Sequence, residues 1–224
     1  MINKLPKWVE IGGFLLASIA GFVNAIGLLG FKHQAVSHLT GTSTFLSLAL
    51  ANQDVEGTIH LLLVIASFMM GAAFSGIVIG NTALKLGRHY SIALFVESLL
   101  LYASMGLLNH DSSSGHFLAS AACGLQNAMT STYSGAVVRT THVSGLFTDL
   151  GVALGLRFRG HKADSRRIIL YLTLITGFIV GGVAGSLAFA YYHFSALLFP
   201  CILTALIGIG YEVLAYRQAG ARNR

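Results

Sequence analysis

The sequence predicts an all-α integral membrane protein with six transmembrane helices and two re-entrant half-helices, arranged as two inverted-topology repeats of three spans each. Composition, the spacing of apolar runs and a duplicated polar motif carry this prediction. Hydrophobic residues make up 54% of the 224 positions and charged residues only 10%, whereas a soluble domain carries roughly a quarter charged residues. Soluble enzymes are therefore excluded, and residues 1–224 are expected to form a single membrane domain.

Six apolar runs are long enough to cross a hydrocarbon core of roughly 30 Å, since a helix rises about 1.5 Å per residue. They lie at 9–30, 58–82, 91–108, 115–136, 167–190 and 196–216. The first run follows Lys4 and Lys7 as the apolar part of a signal peptide would, but it is too long and lacks a clear cleavage site. It is predicted to be an uncleaved span with Trp8 at the membrane interface.

Two further apolar stretches, at 39–51 and 143–156, are short, and each follows a polar segment. Thirteen helical residues reach only about 20 Å, so we expect re-entrant half-helices, with full crossings as the alternative. If they are re-entrant and the N-terminus is cytoplasmic, 12 of the 14 basic residues lie on the cytoplasmic side; if both cross, only 10 do. The positive-inside rule therefore favours six spans, with both termini in the cytoplasm.

The two short stretches belong to the two most similar pieces of the chain. The pattern G-x-x-N-A occurs at 21–25 and 124–128, and [S/T]-H-[L/V]-[T/S]-G-x-x-T follows at 37–44 and 141–148. Chance similarity between apolar helices would match Leu and Ala rather than Asn, His, Gly and hydroxyl residues in order. We therefore predict a duplication, with repeat 1 at about 9–108 and repeat 2 at about 115–216. Three crossings in each repeat give the copies opposite orientations.

The duplicated motif is the candidate site, because the broken helices of inverted repeats meet near the bilayer midplane. Thr40 and Ser144 are predicted N-caps, which would turn free backbone N–H groups and positive helix ends toward the protein centre. Such a site favours an anion or another hydrogen-bond acceptor. The predicted substrate-binding residues are Asn24, His38, Thr40, Gly41, Asn127, Arg139, His142, Ser144 and Gly145. The alternative for each is a structural role in satisfying or packing the broken backbone.

Acidic residues within apolar segments are rare and mark functional candidates by default. Glu97 and Asp149 are the predicted proton-coupling residues. Asp149 stands where the first repeat has Phe45, so one half carries a carboxylate that the other lacks. A fixed ion pair with a basic neighbour is the alternative role for Asp149.

Small residues at intervals of four predict a close-packing helix face in the fifth long span. They are Gly177, Gly181 and Gly185, with Gly182 and Ser186 beside them. We expect this face to pack inside the chain against the second long span, where 71–76 offers a similar surface. A homodimer interface is the alternative.

The motif also carries a family resemblance. The chain resembles the YoaK-like family of bacterial multi-pass inner-membrane proteins. The resemblance lies in the run Ala20-Gly21-Phe22-Val23-Asn24-Ala25, in Ser37-His38-Leu39-Thr40-Gly41 after it, and in the second copy of this pattern in the second half. The resemblance implies the fold and a location in the bacterial inner membrane, but no substrate. Family members commonly have Asp at the position of Asn24 and Asn at that of Thr42.

These features together predict a small secondary transporter or channel that moves a small anion or polar solute through a central site between the repeats. A non-transporting membrane scaffold or partner-binding subunit is the alternative. Cys123 and Cys201 lack metal-ligand spacing, and no nucleotide-binding, metalloprotease or serine-hydrolase motif occurs in the sequence. No enzymatic activity, cofactor, metal or nucleic-acid partner is therefore expected.

Overall fold

The computed structural model describes residues 8–30, 34, 36–80, 88–134, 138–161 and 164–222, apart from the side chains of Trp8, Arg88, Tyr133, Ala215 and 217–222. The predicted interfacial position of the Trp8 side chain falls outside this part. So do several of the basic residues used to predict the orientation. These are Lys4, Lys7, Lys32, Lys85, Arg88, Lys162, Arg217, Arg222 and Arg224.

Helices make up most of the described residues and lie close to the predicted apolar runs. They are α1 (Trp8–Leu29), α2 (Leu39–Ala51), α3 (Val55–Ile79), α4 (Arg88–Asn109), α5 (Ser114–Ser134), α6 (Val143–Phe158), α7 (Ser165–Tyr192) and α8 (Leu198–Arg222), with a short 3₁₀ helix at His193–Leu197. The described residues contain no strand. The predicted all-α class is therefore confirmed, and α2 has the predicted bounds.

Four helical stretches of the described chain are long and apolar enough to cross a membrane: Val9–Leu29, Val55–Ile79, His89–Asn109 and Ser165–Leu214, the last of which contains α7 and most of α8. Apolar side chains on these helices point away from the protein; Ile77, for example, is 82% exposed. Exposed apolar surface of this kind is suited to lipid contact. These helices identify a multi-pass membrane protein.

Helix α5 is not among the four apolar stretches, because it carries polar side chains. His116 and Gln126 on this helix are nevertheless almost fully buried. The neighbouring helices α3 and α4 both pack against α5. Its low hydropathy therefore reflects a central position, where polar groups find partners inside the protein.

Helices α1 and α7 lie side by side and run in the same direction. Near their starts, Arg166 Nε lies 3.4 Å from Glu10 Oε1. Further along both helices, a Cβ added to Gly185 would lie 2.6 Å from the Phe22 carbonyl oxygen. The matching order of these contacts shows that the two helices are parallel.

Helices α3 and α5 form a second parallel pair. His60 Nε2 lies 3.2 Å from His116 Nδ1 near the starts of the two helices. One turn on, the Ser120 hydroxyl donates to the Val64 carbonyl at 3.0 Å. Each residue number rises with that of its contact, so α3 and α5 share one direction.

Helices α4 and α8 pack in opposite directions. The Tyr90 and Tyr211 rings lie 5.8 Å apart, and the Ser98 hydroxyl donates to the Cys201 carbonyl at 2.9 Å. Residue numbers fall on α8 as they rise on α4, which makes the pair antiparallel.

The predicted glycine face of α7 does pack inside the chain, but on α1 rather than on α3. A Cβ on Gly181 would clash with the carbonyl oxygen of Ser18, and a Cβ on Gly71 would clash with that of Ala121. The predicted pairing of α7 with the second long span is therefore wrong. The glycine face of α3 packs on α5, and the glycine face of α7 packs on α1.

The short helices α2 and α6 begin slightly before the predicted caps. His38 and His142 are the residues that precede the first helical turn, and neither side chain makes a capping hydrogen bond. The N–H of Thr42 donates to the His38 carbonyl at 3.0 Å. Because the first turn closes on the histidine carbonyl, the prediction of Thr40 and Ser144 as N-caps is wrong.

Candidate functional site

A cavity of about 670 Å³ is bordered by the starts of α2 and α6, and both copies of the duplicated motif line it. Further walls come from α1, α3, α5 and α7. Phe68 of α3 and Phe178 of α7 lie on these walls. Two segments more than 100 residues apart in the chain are thus brought to one place.

Most of the predicted binding residues lie on this cavity. The lining includes Asn24, His38, Thr40, Asn127, His142 and Ser144. Gly41, Gly145 and Arg139 are not part of the lining, but each contacts one of the two histidines. The duplicated motif therefore locates the cavity. The other three predicted residues lie behind the lining, against the two histidines.

Gly41 and Gly145 each lie against the imidazole of the histidine three residues earlier. A Cβ on Gly41 would lie 2.5 Å from Nδ1 of His38, and a Cβ on Gly145 would lie 3.2 Å from Nδ1 of His142. In both copies, the missing side chain leaves room for the ring to fold over the first helical turn. This packing explains the H-x-x-G spacing.

Arg139 contacts His142 at the start of α6. Its Nη1 lies 3.4 Å from Nδ1 of the imidazole. A guanidinium can only donate hydrogen bonds, so Nδ1 is the acceptor in this contact. The first half has Ala35 at the corresponding position, so the motif carries this cation in its second copy alone.

Asn24 and Asn127 hold equivalent positions in the two motif copies but make different contacts. Asn24 Nδ2 donates to the Ser37 hydroxyl at 2.6 Å and to the Ala20 carbonyl at 2.8 Å, and Oδ1 accepts from the Ser37 N–H at 3.1 Å. The Oδ1 of Asn127 is buried and has no hydrogen-bond partner. Both ends of the Asn24 amide are thus hydrogen-bonded. They hold Ser37 in the non-helical segment before α2, which we call the first break.

The non-helical segment before α6, which we call the second break, is held by a different side chain. Gln126 Nε2 donates to the Leu16 carbonyl at 2.6 Å and to the Thr140 hydroxyl at 3.3 Å. The first half has Val23 and Val36 at the positions of Gln126 and Thr140. Gln126 therefore joins α5 both to the second break and to α1, and neither Gln126 nor Thr140 has a polar counterpart in the first half.

The two predicted coupling carboxylates lie outside the cavity lining. Glu97 is 1% exposed on α4, its Oε2 has no hydrogen-bond partner, and Cys123 of α5 is close by. Asp149 is exposed on α6 and lies close to Tyr171 of α7. Glu97 therefore lies buried inside the helix bundle, whereas Asp149 lies at the contact between α6 and α7.

Sequence reasoning missed two pairs of residues. The buried pair His60 and His116 gives no sequence signal, since the two lie on separate helices and are 56 positions apart. The cavity residues Phe68 and Phe178 do give one, because each stands three residues before a buried glycine of its helix. Among the described residues, no group of three or more His, Cys, Asp or Glu side chains is arranged to hold a metal ion.

The comparisons with known proteins agree with the resemblance carried by the motif. The family model described as "Protein of unknown function (DUF1275)" matches residues 12–210, a range that includes both motif copies and every cavity residue. YoaK is a member of this family, so the predicted resemblance is confirmed. No curated protein and no solved structure matches the chain significantly. The chain therefore belongs to the DUF1275 family, whose function is unknown.

Proposed function

We propose that this protein is a small secondary transporter or channel of the bacterial inner membrane, which moves an anionic or hydrogen-bond-accepting solute through the cavity between its two halves. The observation that carries the proposal is that both copies of the polar motif line one cavity of about 670 Å³. Polar breaks at membrane depth are tolerated where they border protein or a water-filled cavity. A scaffold would need no such space, so the cavity favours transport.

The directions of the packed helices support six crossings with α2 and α6 re-entrant. In that arrangement α1 and α7 are parallel, α3 and α5 are parallel, and α4 and α8 are antiparallel, as observed. If both short helices crossed, α4 and α8 would be parallel. If only one crossed, α1 and α7 would be antiparallel. Lengths of 13 and 16 residues also give α2 and α6 only about 20 and 24 Å.

The close helix contacts support an inverted repeat. Gly21 of α1 packs against the Phe178 carbonyl of α7, and Gly124 of α5 packs against the Phe68 carbonyl of α3. Gly21 and Gly124 are equivalent in the G-x-x-N-A pattern. The same contact thus occurs twice, each time between the first helix of one half and the middle helix of the other.

The chemistry of the lining supports an acceptor-rich solute. His38, Thr40, His142 and Ser144 offer donors beside the free N–H groups of two helix starts. No acidic or basic side chain other than histidine belongs to the lining among the described residues. A volume of this size suits a metabolite rather than a single-atom ion.

Glu97 is the proposed proton-coupling residue. It is buried on α4 with one carboxyl oxygen that has no hydrogen-bond partner. An ionisable group held inside a membrane protein without a fixed partner is suited to carry a proton. Asp149 remains a second candidate, although its exposed position beside Tyr171 favours a structural role.

Flux into liposomes tests the proposal. The purified protein is reconstituted and supplied with a panel of small organic and inorganic anions, with and without a pH gradient. Thr40→Ala and Ser144→Ala should each lower the flux about fivefold, the loss expected for one hydrogen bond of roughly 1 kcal/mol. Thr44→Ala and Thr148→Ala, one turn further along the same helices and exposed outside the lining, are matched controls.

Three outcomes decide the result. Flux no greater than in empty vesicles for every solute would remove the transport proposal. Equal effects of the test and control variants would remove the cavity as the route. Flux that ignores the pH gradient would remove the coupling role of Glu97 and leave the route intact.

A further inference from the structure

The first and second breaks are held by different hydrogen bonds, although the same G-x-x-N-A motif precedes both. Asn24 and Ser37 exchange two hydrogen bonds, Nδ2 to Oγ at 2.6 Å and N–H to Oδ1 at 3.1 Å. Both residues are buried. We name this contact the first latch, because it ties α1 to the segment that enters α2.

The equivalent contact in the second half, between Asn127 and Thr141, is not made. Both residues line the cavity, and the Asn127 Oδ1 is buried with no hydrogen-bond partner. A buried carbonyl oxygen without a donor is costly, and closure of the contact with Thr141 would supply the missing donor. We name the missing pair the second latch.

We infer that the two latches alternate: the conformation in which the first latch is closed and the second open exchanges with one in which the second is closed and the first open. This inference rests on the proposed transport function and specifies how the cavity changes sides. Inverted repeats permit the exchange, because each half can adopt the arrangement of the other. Each conformation then leaves one asparagine unsatisfied, which keeps the two close in free energy.

The bond between Gln126 and Thr140 is compatible with this exchange. It ends on the residue before Thr141 and uses the Thr140 hydroxyl at 3.3 Å. The Thr141 N–H, which is the counterpart of the Ser37 donor, is not part of it. Thr141 can therefore close on Asn127 without loss of the Gln126 bond.

Labelling of a cavity cysteine from each side of the membrane tests the inference without any solute. Ser186 of α7 lines the cavity, and the native Cys123 and Cys201 are buried, so Ser186→Cys reports access with little background. Membrane-impermeant maleimide is applied to reconstituted vesicles of known orientation, from either face. The measured quantity is the ratio of the two labelling rates.

Asn24→Ala and Asn127→Ala should move this ratio in opposite directions, each by about fivefold or more, because each removes the stabilising contact of one conformation. The double variant should return close to the parent ratio. Asn52→Ala, at an exposed asparagine after α2, is the matched control. If Asn24→Ala does not fold, Ser37→Ala removes the hydroxyl of the same latch and should shift the ratio as Asn24→Ala does.

Shifts of both variants in the same direction, or no shift beyond that of Asn52→Ala, would overturn the alternating latches. Labelling from one face only in every variant would overturn them as well. Since labelling needs no flux, the two proposals fail separately. Flux with an unaltered ratio leaves transport and removes the latches, whereas opposite shifts without flux leave the latches and remove the proposed solutes.

Discussion

The imidazoles of His38 and His142 face the same cavity but are not equally constrained. A Cβ at Gly41 would come to 2.5 Å of the first ring, and a Cβ at Gly145 to only 3.2 Å of the second. The first distance forces the ring to move, whereas the second requires a shift of a few tenths of an ångström. The His38 position therefore depends more strongly on its glycine.

Gly41→Ala and His38→Ala should each lower liposome flux about fivefold, because either change removes the proposed hydrogen bond of roughly 1 kcal/mol between the His38 ring and the solute. Gly145→Ala should have a smaller effect. The initial rate of flux at equal protein density measures both, and thermal unfolding in detergent shows whether either variant is merely unfolded. A larger effect at Gly145 than at Gly41 would contradict the packing role assigned to these glycines.

At the scale of residues, the sequence was informative where the motif is duplicated and silent where a contact has no local pattern. The pairing of His38 with His142 at one cavity follows from the repeat. The orphan oxygen of Asn127 does not, because only the structure distinguishes it from the fully bonded Asn24. The helix caps were misplaced because Thr and Ser favour that position, while here the first turn closes on the preceding histidine carbonyls.

At the scale of elements, the contact between α3 and α5 leaves no space for a side chain on the glycine that lies in it. A Cβ at Gly71 would overlap the Ala121 carbonyl oxygen. A Cβ at Gly76, on the same helix, has no atom within 4 Å. The two glycines therefore have different roles, although their sequence context is similar.

Gly71→Ala should destabilise the protein by about 1–3 kcal/mol, since two backbones must separate. Gly76→Ala should be neutral or stabilise α3 by up to about 1 kcal/mol, since Ala favours helix over Gly. Unfolding in detergent, followed by circular dichroism or a thiol-reactive dye, compares the two. Equal stabilities would show that the helices do not approach as closely as described.

The bounds of the helices were predictable because long apolar runs and polar interruptions are local features. Their partners were not, since a glycine face predicts close packing without naming the helix that it meets. The face of α7 packs on α1, and only the three-dimensional arrangement shows this. The polar α5 was predicted as a span by its length, and its buried His116 and Gln126 explain its low hydropathy.

At the scale of the whole molecule, the six-crossing proposal assigns each loop to one side of the membrane. Cysteines at Glu56 and Asp111 should react with an impermeant maleimide from the periplasmic side, and a cysteine at His161 from the cytoplasmic side. All three positions are exposed. With eight crossings, the first two would move to the cytoplasmic side and the third would stay, so His161 serves as the internal control. Labelling of position 56 from the cytoplasm would remove the re-entrant assignment of α2.

The parallel pairing of α1 with α7 determines the order in which the protein can assemble. Gly21 is made early, yet its contact at Phe178 lies 157 residues later in the chain. At about 5–20 residues per second, the ribosome needs roughly 8–30 s to reach it. During that time, the glycine surface of α1 lacks the α7 backbone that covers it in the folded protein. Packing of the N-terminal half is therefore complete only after the C-terminal half has been made. A truncated chain exposes a helix face that cellular quality control can recognise.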